Sequence, residues 1–387
     1  MLFILTKAIV HRALDDKNKA SINVMRSLEA CLKYGKHMVF AKNEVLEYIQ
    51  QKANQEYPSL ISLLSSYSTI GAAAKEMSWH AEFVAEIPSR RDQENHIIYI
   101  NENELPKLEL IKEAHVIGEH LKDVLFVEHI INYYQREHSL KPQHRYYRLL
   151  GGGSSIASVY ENEITEGHAF VLCITDGDKK YPKDGIGDTG GNVEKKDNEY
   201  HHPYNAFYYQ MQEVTEMENL IPWHIILKYV SVAKDPQMNE RVRKIQQIRD
   251  ADESFLDYFD YKEGISKSKE TDDAVLKYRM DIMKLLDPEI ANTMQVDEQK
   301  WLAQKQRFVE EGLAQDIKEA EKMIKYIRKK LVYVPGICEN VLERVLETCK
   351  DDLVVIRKTD LSEAQQHEYE RIGELAYAWT CCMVPMS

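Results

Sequence analysis

Three groups of acidic residues lie where the sequence predicts that buried strands end. They are Glu128 after VLFV, Asp176 and Asp178 in CITDGD, and Glu216 and Glu218 after NAFYYQMQEV. Carboxyl ends of adjacent parallel strands meet at one edge of a sheet, so these side chains are expected to lie close together. Clustered carboxylates repel unless a cation neutralises them, and their hard oxygens favour Mg²⁺ or Mn²⁺. The pattern predicts a divalent-metal site that activates water and polarises a phosphoryl oxygen.

Glycines and lysines beside these acids are candidates for contact with phosphate. Gly151, Gly152 and Gly153 follow a predicted strand and precede a predicted helix, where backbone amides can face an anion. Lys180 is assigned to phosphate, and Lys179 to the negative charge that develops during the reaction. A tight turn and ordinary surface charge would use the same residue types, and those interpretations stay open.

In this order the segments resemble the Toprim family, which includes topoisomerases, bacterial primases and several nucleases. The family's first motif is an apolar strand ending in Glu, usually followed by Gly and, three residues after that, by Asp. Here Glu128 is followed by His129 and Asn132 at those positions. The glycine run and the Asp-x-Asp pair match the later motifs. EMENLIP, from Glu216 to Pro222, is similar to the Glu-x-Glu-Asn segment of OLD-type and related defence-associated Toprim nucleases.

The resemblance implies a metal-dependent endonuclease that hydrolyses phosphodiester bonds of DNA or RNA, tRNA included. Glu128, Asp176 and Asp178 would hold Mg²⁺ or Mn²⁺, Glu216 or Glu218 would complete the set, and replacing Asp176 by Ala would abolish cleavage. Relatives of this kind act in antiviral defence beside an ATPase sensor. The chain has no GxxxxGK[ST] phosphate loop, so an ATPase would be a separate subunit. A homodimer is also compatible with the sequence.

Other functions stay open. The changes at His129 and Asn132 also suit a catalytically degenerate Toprim module that binds nucleic acid or regulates a larger complex. A primase on the same fold is a further alternative, which a primer-synthesis assay would test.

The elements that must position these residues are of the α/β class. Strands alternate with helices in the middle of the chain, which predicts a Rossmann-like, mostly parallel sheet. We expect an N-terminal αβ accessory domain (1–112), a Toprim catalytic domain (113–232) and a helical C-terminal region (233–387). KDVLFVE, HRYYRLL, HAFVLCITDGD and NAFYYQMQEV are predicted to be strands, and LFILTKAIV a short strand at the start of the N-terminal domain. The polar stretch from 181 to 205 is predicted to be a loop that gates the metal site.

Composition limits the partners. The net charge is −13 at a sequence pI near 5.6, so any nucleic acid must be held by local basic patches or by bound cations. The cysteines show no zinc spacing, and scattered thiols suit a reducing compartment. No apolar run has transmembrane length, so a cytoplasmic protein without membrane contact is expected.

Overall fold

The protein is a mixed α/β structure with parallel sheets, as the sequence predicts. The computed structural model describes residues 1–75, 79–141, 143–185, 187–265, 272–329 and 334–383. Within these residues, no helix combines the length and the apolar character needed to cross a membrane.

The strands are numbered in chain order. They are β1 (Leu2–Leu5), β2 (Met38–Ala41), β3 (His80–Val84), β4 (Arg90–Asp92), β5 (Ile97–Asn101), β6 (Ala114–Gly118), β7 (Gln143–His144), β8 (Tyr146–Leu150), β9 (Val171–Thr175), β10 (Ala206–Gln210), β11 (Gly264–Ile265), β12 (Val334–Pro335) and β13 (Cys381–Cys382).

The α-helices follow the same convention. They are α1 (Lys7–Leu14), α2 (Lys19–Tyr34), α3 (Asn43–Ala53), α4 (Pro58–Lys75), α5 (Leu121–Glu137), α6 (Ile156–Glu166), α7 (Asp188–Glu199), α8 (Trp223–Ala233), α9 (Pro236–Ala251), α10 (Asp273–Leu286), α11 (Pro288–Glu310), α12 (Ala314–Lys329), α13 (Val341–Thr348), α14 (Lys350–Val354) and α15 (Glu363–Thr380).

The chain divides into two compact units. Unit 1 consists of Met1–Asp176, Gly187–Met211 and His367–Ser387, and unit 2 consists of Gly177–Ile186 and Gln212–Gln366. The three-domain division expected from the sequence stays a prediction. Among the described residues, the two sheets of four or more strands belong to unit 1, whereas unit 2 is built mainly from helices.

The first sheet of unit 1 has the strand order β2-β1-β3-β5-β4. Its strands run parallel except for β4, which pairs antiparallel with β5. Helix α2 covers part of this sheet and has a clear start and stop. The Asn18 side chain accepts a hydrogen bond from the Ser21 amide, and Gly35 ends the helix in a left-handed conformation (φ 61°). The strand predicted for LFILTKAIV is present only in its first half, as β1, because its second half begins helix α1.

The second sheet carries the candidate site and is entirely parallel, with the order β10-β9-β6-β8. Strand β9 is buried at every position, as its continuous apolar sequence predicts. Helix α6 packs against the sheet through Ile156, Tyr160 and Ile164. The predicted strands HRYYRLL, HAFVLCITDGD and NAFYYQMQEV correspond to β8, β9 and β10.

The prediction that KDVLFVE forms a strand is wrong, because this segment lies in helix α5. The helix is buried over a wide arc, because Val124, Val127 and Ile131 are buried as well as Phe126 and Ile130. On one face, Phe126 and Tyr133 contact Tyr369 of α15 edge-on, with ring centroids 6.4 and 5.1 Å apart. Such a helix has few polar positions in its centre. Its short apolar run therefore resembles a buried strand.

The polar stretch from 181 to 205 was predicted to be a loop, but only part of it is one. It contains helix α7, which buries Val193 and Asp197, and residue 186 lies outside the described part. The Asp197 carboxylate accepts hydrogen bonds from Arg91, Tyr160 and His202 at 2.8, 2.6 and 2.6 Å. These bonds fix α7 in unit 1, so the proposed gate has a structural role in its second half.

Candidate functional site

The carboxyl ends of β8, β6 and β9 meet at one edge of the second sheet. Gly118, the last residue of β6, is opposite Leu150 of β8, and Ile117 is opposite Cys173 of β9. The chain goes from β6 to β8 on one side and then returns to β9 on the other side. The connection after β6 thus leads to β8 on one side, and the connection after β9 leads in the opposite direction, to β10. In open parallel sheets, ligands bind at such a switch point.

Two carboxylates lie at this switch point. Glu119 directly follows β6, and Asp176 directly follows β9. The Asp176 amide donates a hydrogen bond to the Glu119 carboxylate over 3.3 Å. Both residues are partly exposed, so a ligand can reach them. The register of β6 against β9 therefore brings two acidic residues together at the edge predicted for the metal site.

Glu128 was predicted to be a metal ligand at the end of a strand, but it lies in a helix. It lies within α5, about two turns after the helix begins, and its carboxylate accepts a hydrogen bond from Arg148. The strand end that the sequence analysis sought is nine residues earlier, at Glu119. The sequence VIGEHLKD contains the signal: a short apolar stretch, a glycine and then an acidic residue.

His120 and Asp123 begin helix α5. The Asp123 carboxylate accepts a hydrogen bond from the His120 amide at 2.7 Å and forms a capping box, and Asp123 is only 5 % exposed. The substituted motif positions His129 and Asn132 lie deeper in the same helix. Counted from Glu119, the glycine position is His120 and the aspartate position is Asp123.

The glycine run shapes the edge of the sheet. The amides of Gly151 and Gly152 donate to the carbonyls of Gly118 and Glu119 at 2.8 and 3.0 Å. A Cβ atom at 151 would lie 2.4 Å from Ile156 Cγ1. Since these two amides are used within the protein, their predicted role in phosphate binding is replaced by a structural one. They hold the backbone around Glu119, and the phosphate role stays a prediction for Gly153.

The other predicted site residues belong to unit 2. The chain enters this unit immediately after Asp176, at Gly177. The Asp178 amide donates to the Thr215 carbonyl at 2.8 Å, and Lys179 Nζ donates to the Gln212 carbonyl at 2.6 Å. The residues after the DGD turn therefore run beside the segment that leads to Glu216.

Glu216 and Glu218 share one cation. Lys262 Nζ lies 3.1 Å from Glu216 and 3.5 Å from Glu218, which is almost fully buried. Burial raises the pKa of Glu216 to about 7, while Lys262 opposes the shift and the carboxylates of Glu218 and Asp260 add to it. Glu216 Oε2 is buried, and no residue in the described part of the chain hydrogen-bonds to it. Glu216 can therefore change its protonation state near neutral pH.

A cavity of about 280 Å³ adjoins Glu216 in unit 2. Asp178, Lys179 and Lys180 line it together with residues from the segment around Asp260 and from α10. Predicted catalytic, metal-binding and phosphate-binding residues thus share one concave surface. The cavity is also lined by Asp260, Tyr278 and Arg279. These residues were not predicted, because nothing in their local sequence indicates that they lie near Glu216.

Across the described ranges, no group of three or more His, Cys, Asp or Glu side chains is arranged to hold a metal ion. Comparison of the chain with family models, curated proteins and solved structures gives no match.

Proposed function

We propose that the protein is a divalent-metal-dependent nuclease whose metal-binding residues at the sheet edge are Glu119 and Asp176. The observation that carries the proposal is the position of these two acidic residues at the switch point between β6 and β9, where the Asp176 amide donates a hydrogen bond to the Glu119 carboxylate. With Glu119 as its first residue, the sequence also resembles the Toprim motif more closely, since Asp123 occupies the aspartate position. His120 in place of glycine is the one departure.

The donor set fits Mg²⁺. This ion keeps several waters and is commonly bound through one or two carboxylates together with substrate phosphates, so two protein carboxylates are a sufficient set. When bound, it would supply a Lewis acid and a water of lowered pKa for attack on phosphorus. Within the protein, the Asp176 amide orients Glu119, and the Gly151 and Gly152 amides fix the backbone before it. The Glu119 carboxylate is thus held in position before substrate binds.

Cleavage assays test this proposal. Wild-type protein with Mg²⁺ or Mn²⁺ is incubated with plasmid, single-stranded DNA and total tRNA, beside Glu119→Gln and Asp176→Asn variants. Loss of one metal-binding carboxylate is expected to reduce the cleavage rate by at least about 100-fold, comparable with the loss of other charge-stabilising groups. Glu128→Gln is the matched control, because Glu128 lies on α5 and pairs with Arg148. A wild-type rate in Glu119→Gln, or a rate lost only in Glu128→Gln, would overturn the proposed site.

The second candidate is a Toprim-like subunit that binds nucleic acid without cutting it. It is favoured by the absence of a three-ligand group among the described residues. Titration with Mn²⁺, followed by isothermal calorimetry, separates the two candidates. A metal-binding signal that disappears in Asp176→Asn supports the nuclease, whereas nucleic-acid binding without metal uptake or cleavage supports the subunit. A role in antiviral defence and a separate ATPase partner stay predictions of the resemblance.

A further inference from the structure

The cavity beside Glu216 contains two buried polar atoms that lack partners within the described part of the chain. They are Glu216 Oε2 and the Tyr278 hydroxyl. Burying such groups without hydrogen bonds is unfavourable, so proteins seldom keep them except where a ligand or water completes the bonding. Two of them on the wall of one cavity indicate a binding site for a polar molecule.

One wall of the cavity is aromatic. The Tyr278 ring packs against Phe255 at 5.1 Å and against Tyr258 at 6.2 Å between centroids, and Tyr258 and Tyr278 both line the cavity. Both tyrosines are partly exposed. A planar, partly polar ligand could stack on such a surface, as unpaired bases do on aromatic side chains.

Charges of both signs also line the cavity. Lys180 and Arg279 supply cations, whereas Glu216 and Asp260 supply carboxyl groups. Asp260 Oδ1 already accepts the amides of Lys262 and Glu263, both at 2.8 Å, which fixes this carboxylate in place. A bare phosphate would use the cations but be repelled by the acids. A nucleotide can use both, because its phosphate is anionic and its base carries N–H donors.

We propose that this cavity takes one unpaired nucleotide of the substrate strand. Its base would stack on Tyr278, with the Tyr258 ring, which is nearly perpendicular to Tyr278, against the edge of the base. The N–H edge of the base would face Glu216 and Asp260, and its phosphate would lie near Lys180 and Arg279. Guanine fits best, because its N1–H and N2–H₂ donors stand side by side and match carboxylate oxygens. The inference rests on the proposed function and assigns unpaired nucleic acid as its substrate class. The cavity would select the nucleotide, as pockets for extruded bases do in other enzymes.

Binding without cleavage tests the cavity. Full-length protein is titrated in EDTA into a fluorescein-labelled short oligothymidylate with one central guanine, and into the same strand without guanine. Fluorescence anisotropy reports the affinity. Wild type is expected to bind the guanine strand more tightly. Tyr278→Ala should weaken this binding about 5- to 100-fold, because stacking on one aromatic ring contributes about that much.

Two milder variants separate recognition from folding. Tyr278→Phe keeps the ring and removes only the hydroxyl, and Glu216→Gln keeps the size of the side chain; both should reduce the preference for guanine with little change in Tm. Tyr326→Ala, at an exposed tyrosine of α12 in the same unit, is the control and should bind as wild type does. Unchanged affinity and unchanged guanine preference in all three cavity variants would overturn the proposal.

This binding experiment in EDTA, set beside the cleavage assay with Mg²⁺, distinguishes the inference from the nuclease proposal. In EDTA, where no metal is bound, Glu119→Gln should bind the guanine strand as wild type does, whereas with Mg²⁺ it should fail to cut it. If wild-type protein cuts no substrate yet shows guanine-dependent binding through Tyr278, the nuclease proposal fails and the nucleotide site stands. If cleavage depends on Glu119 but the Tyr278 and Glu216 variants bind the guanine strand as wild type does, the nuclease proposal is supported and the nucleotide site is ruled out.

Discussion

At the scale of single residues, local structure distinguishes Glu119 from Glu128, although each follows an apolar stretch of the sequence. Glu119 follows a strand and accepts the Asp176 amide, whereas Glu128 lies in a helix and pairs with Arg148. A carboxylate at a strand end is held by the sheet, and its orientation is set by neighbouring backbone. One on a helix surface can be screened by a single flexible arginine. The first arrangement is the one that we propose as a metal ligand, because the Glu119 carboxylate already accepts a backbone amide, whereas the Glu128 carboxylate is paired with Arg148.

Asp257 offers a test of electrostatics in unit 2. Burial raises the pKa of Asp257 to about 7, and the carboxylates of Glu253 and Glu213 add to the shift. In the unfolded chain this group ionises near pH 4, so the folded state holds a proton that the unfolded state has lost. Stability should therefore fall as pH rises from about 4 to 7 and stay reduced above that range.

Asp257→Asn removes this penalty. We expect the variant to be more stable than wild type by about 1–3 kcal/mol at pH 8, after allowance for solvent screening, and about equally stable near pH 4. Urea unfolding at both pH values measures the difference. Asp351→Asn, at an exposed aspartate in the first turn of α14, is the control. An Asp257→Asn gain that is the same at both pH values would contradict the titration argument.

At the scale of elements, helix α15 approaches α5 closely because of one glycine. A Cβ atom at position 373 would lie 2.5 Å from Tyr134 Cβ, so any larger residue forces the two helices apart. Gly373→Ala should gain helix propensity of about 1 kcal/mol but lose more to overpacking, for a net destabilisation of about 1–2 kcal/mol. Thermal unfolding measures it. Gly185→Ala, where a Cβ meets nothing within 4 Å, should leave Tm nearly unchanged. A stabilised Gly373→Ala would show that the contact relaxes easily.

Some elements were predictable from sequence because their local pattern agreed with their environment. Strand β9 is buried on both faces, and its apolar run VLCIT indicates this directly. Helix α5 was misassigned because burial on more than one side removes the polar positions that reveal helical spacing. Strand β6 was missed because AHVIG is short and holds a histidine, which pairs with Glu163 at 2.7 Å. That pairing is between residues distant in sequence.

The candidate site was only partly predictable for the same reason. Asp176 follows a strand that the sequence shows clearly, so its position could be inferred. Glu119 depends on β6, and the cavity depends on Tyr258 and Tyr278 converging from separate segments. Convergence of this kind is set by tertiary packing, and no local spacing encodes it.

At the scale of the whole molecule, charge limits how nucleic acid, the substrate that we propose, can bind. The chain carries 63 acidic and 50 basic residues, so its mean field repels a polyanion. Binding must therefore rely on local features, such as cations at the sheet edge or stacking and paired charges in the cavity. Nucleic-acid affinity should consequently depend on the divalent ion and on base contacts rather than on a broad basic surface.

Unit 1 is assembled from three separate segments of the chain, which makes its core depend on the C-terminal helix. Trp379 of α15 is fully buried, and its ring lies 5.5 Å from Trp79 and 5.4 Å from Phe207. These residues are distant in sequence, so each contact closes a long loop. A compact unit of this kind does not correspond to any single continuous segment.

Trp379→Ala should therefore destabilise unit 1 strongly, by about 3–5 kcal/mol, because it removes a large buried ring and leaves a cavity between Trp79 and Phe207. Calorimetry combined with circular dichroism measures the loss. Trp301→Ala is the matched control: Trp301 is only partly buried and lies in α11 of unit 2. If the units unfold separately, Trp379→Ala should lower the transition of unit 1 alone, and the proposed nuclease activity should be lost at the temperature of that transition. Equal effects of the two substitutions, or a folded fragment of residues 113–232 with the near-ultraviolet spectrum of unit 1, would show that α15 is dispensable to this core.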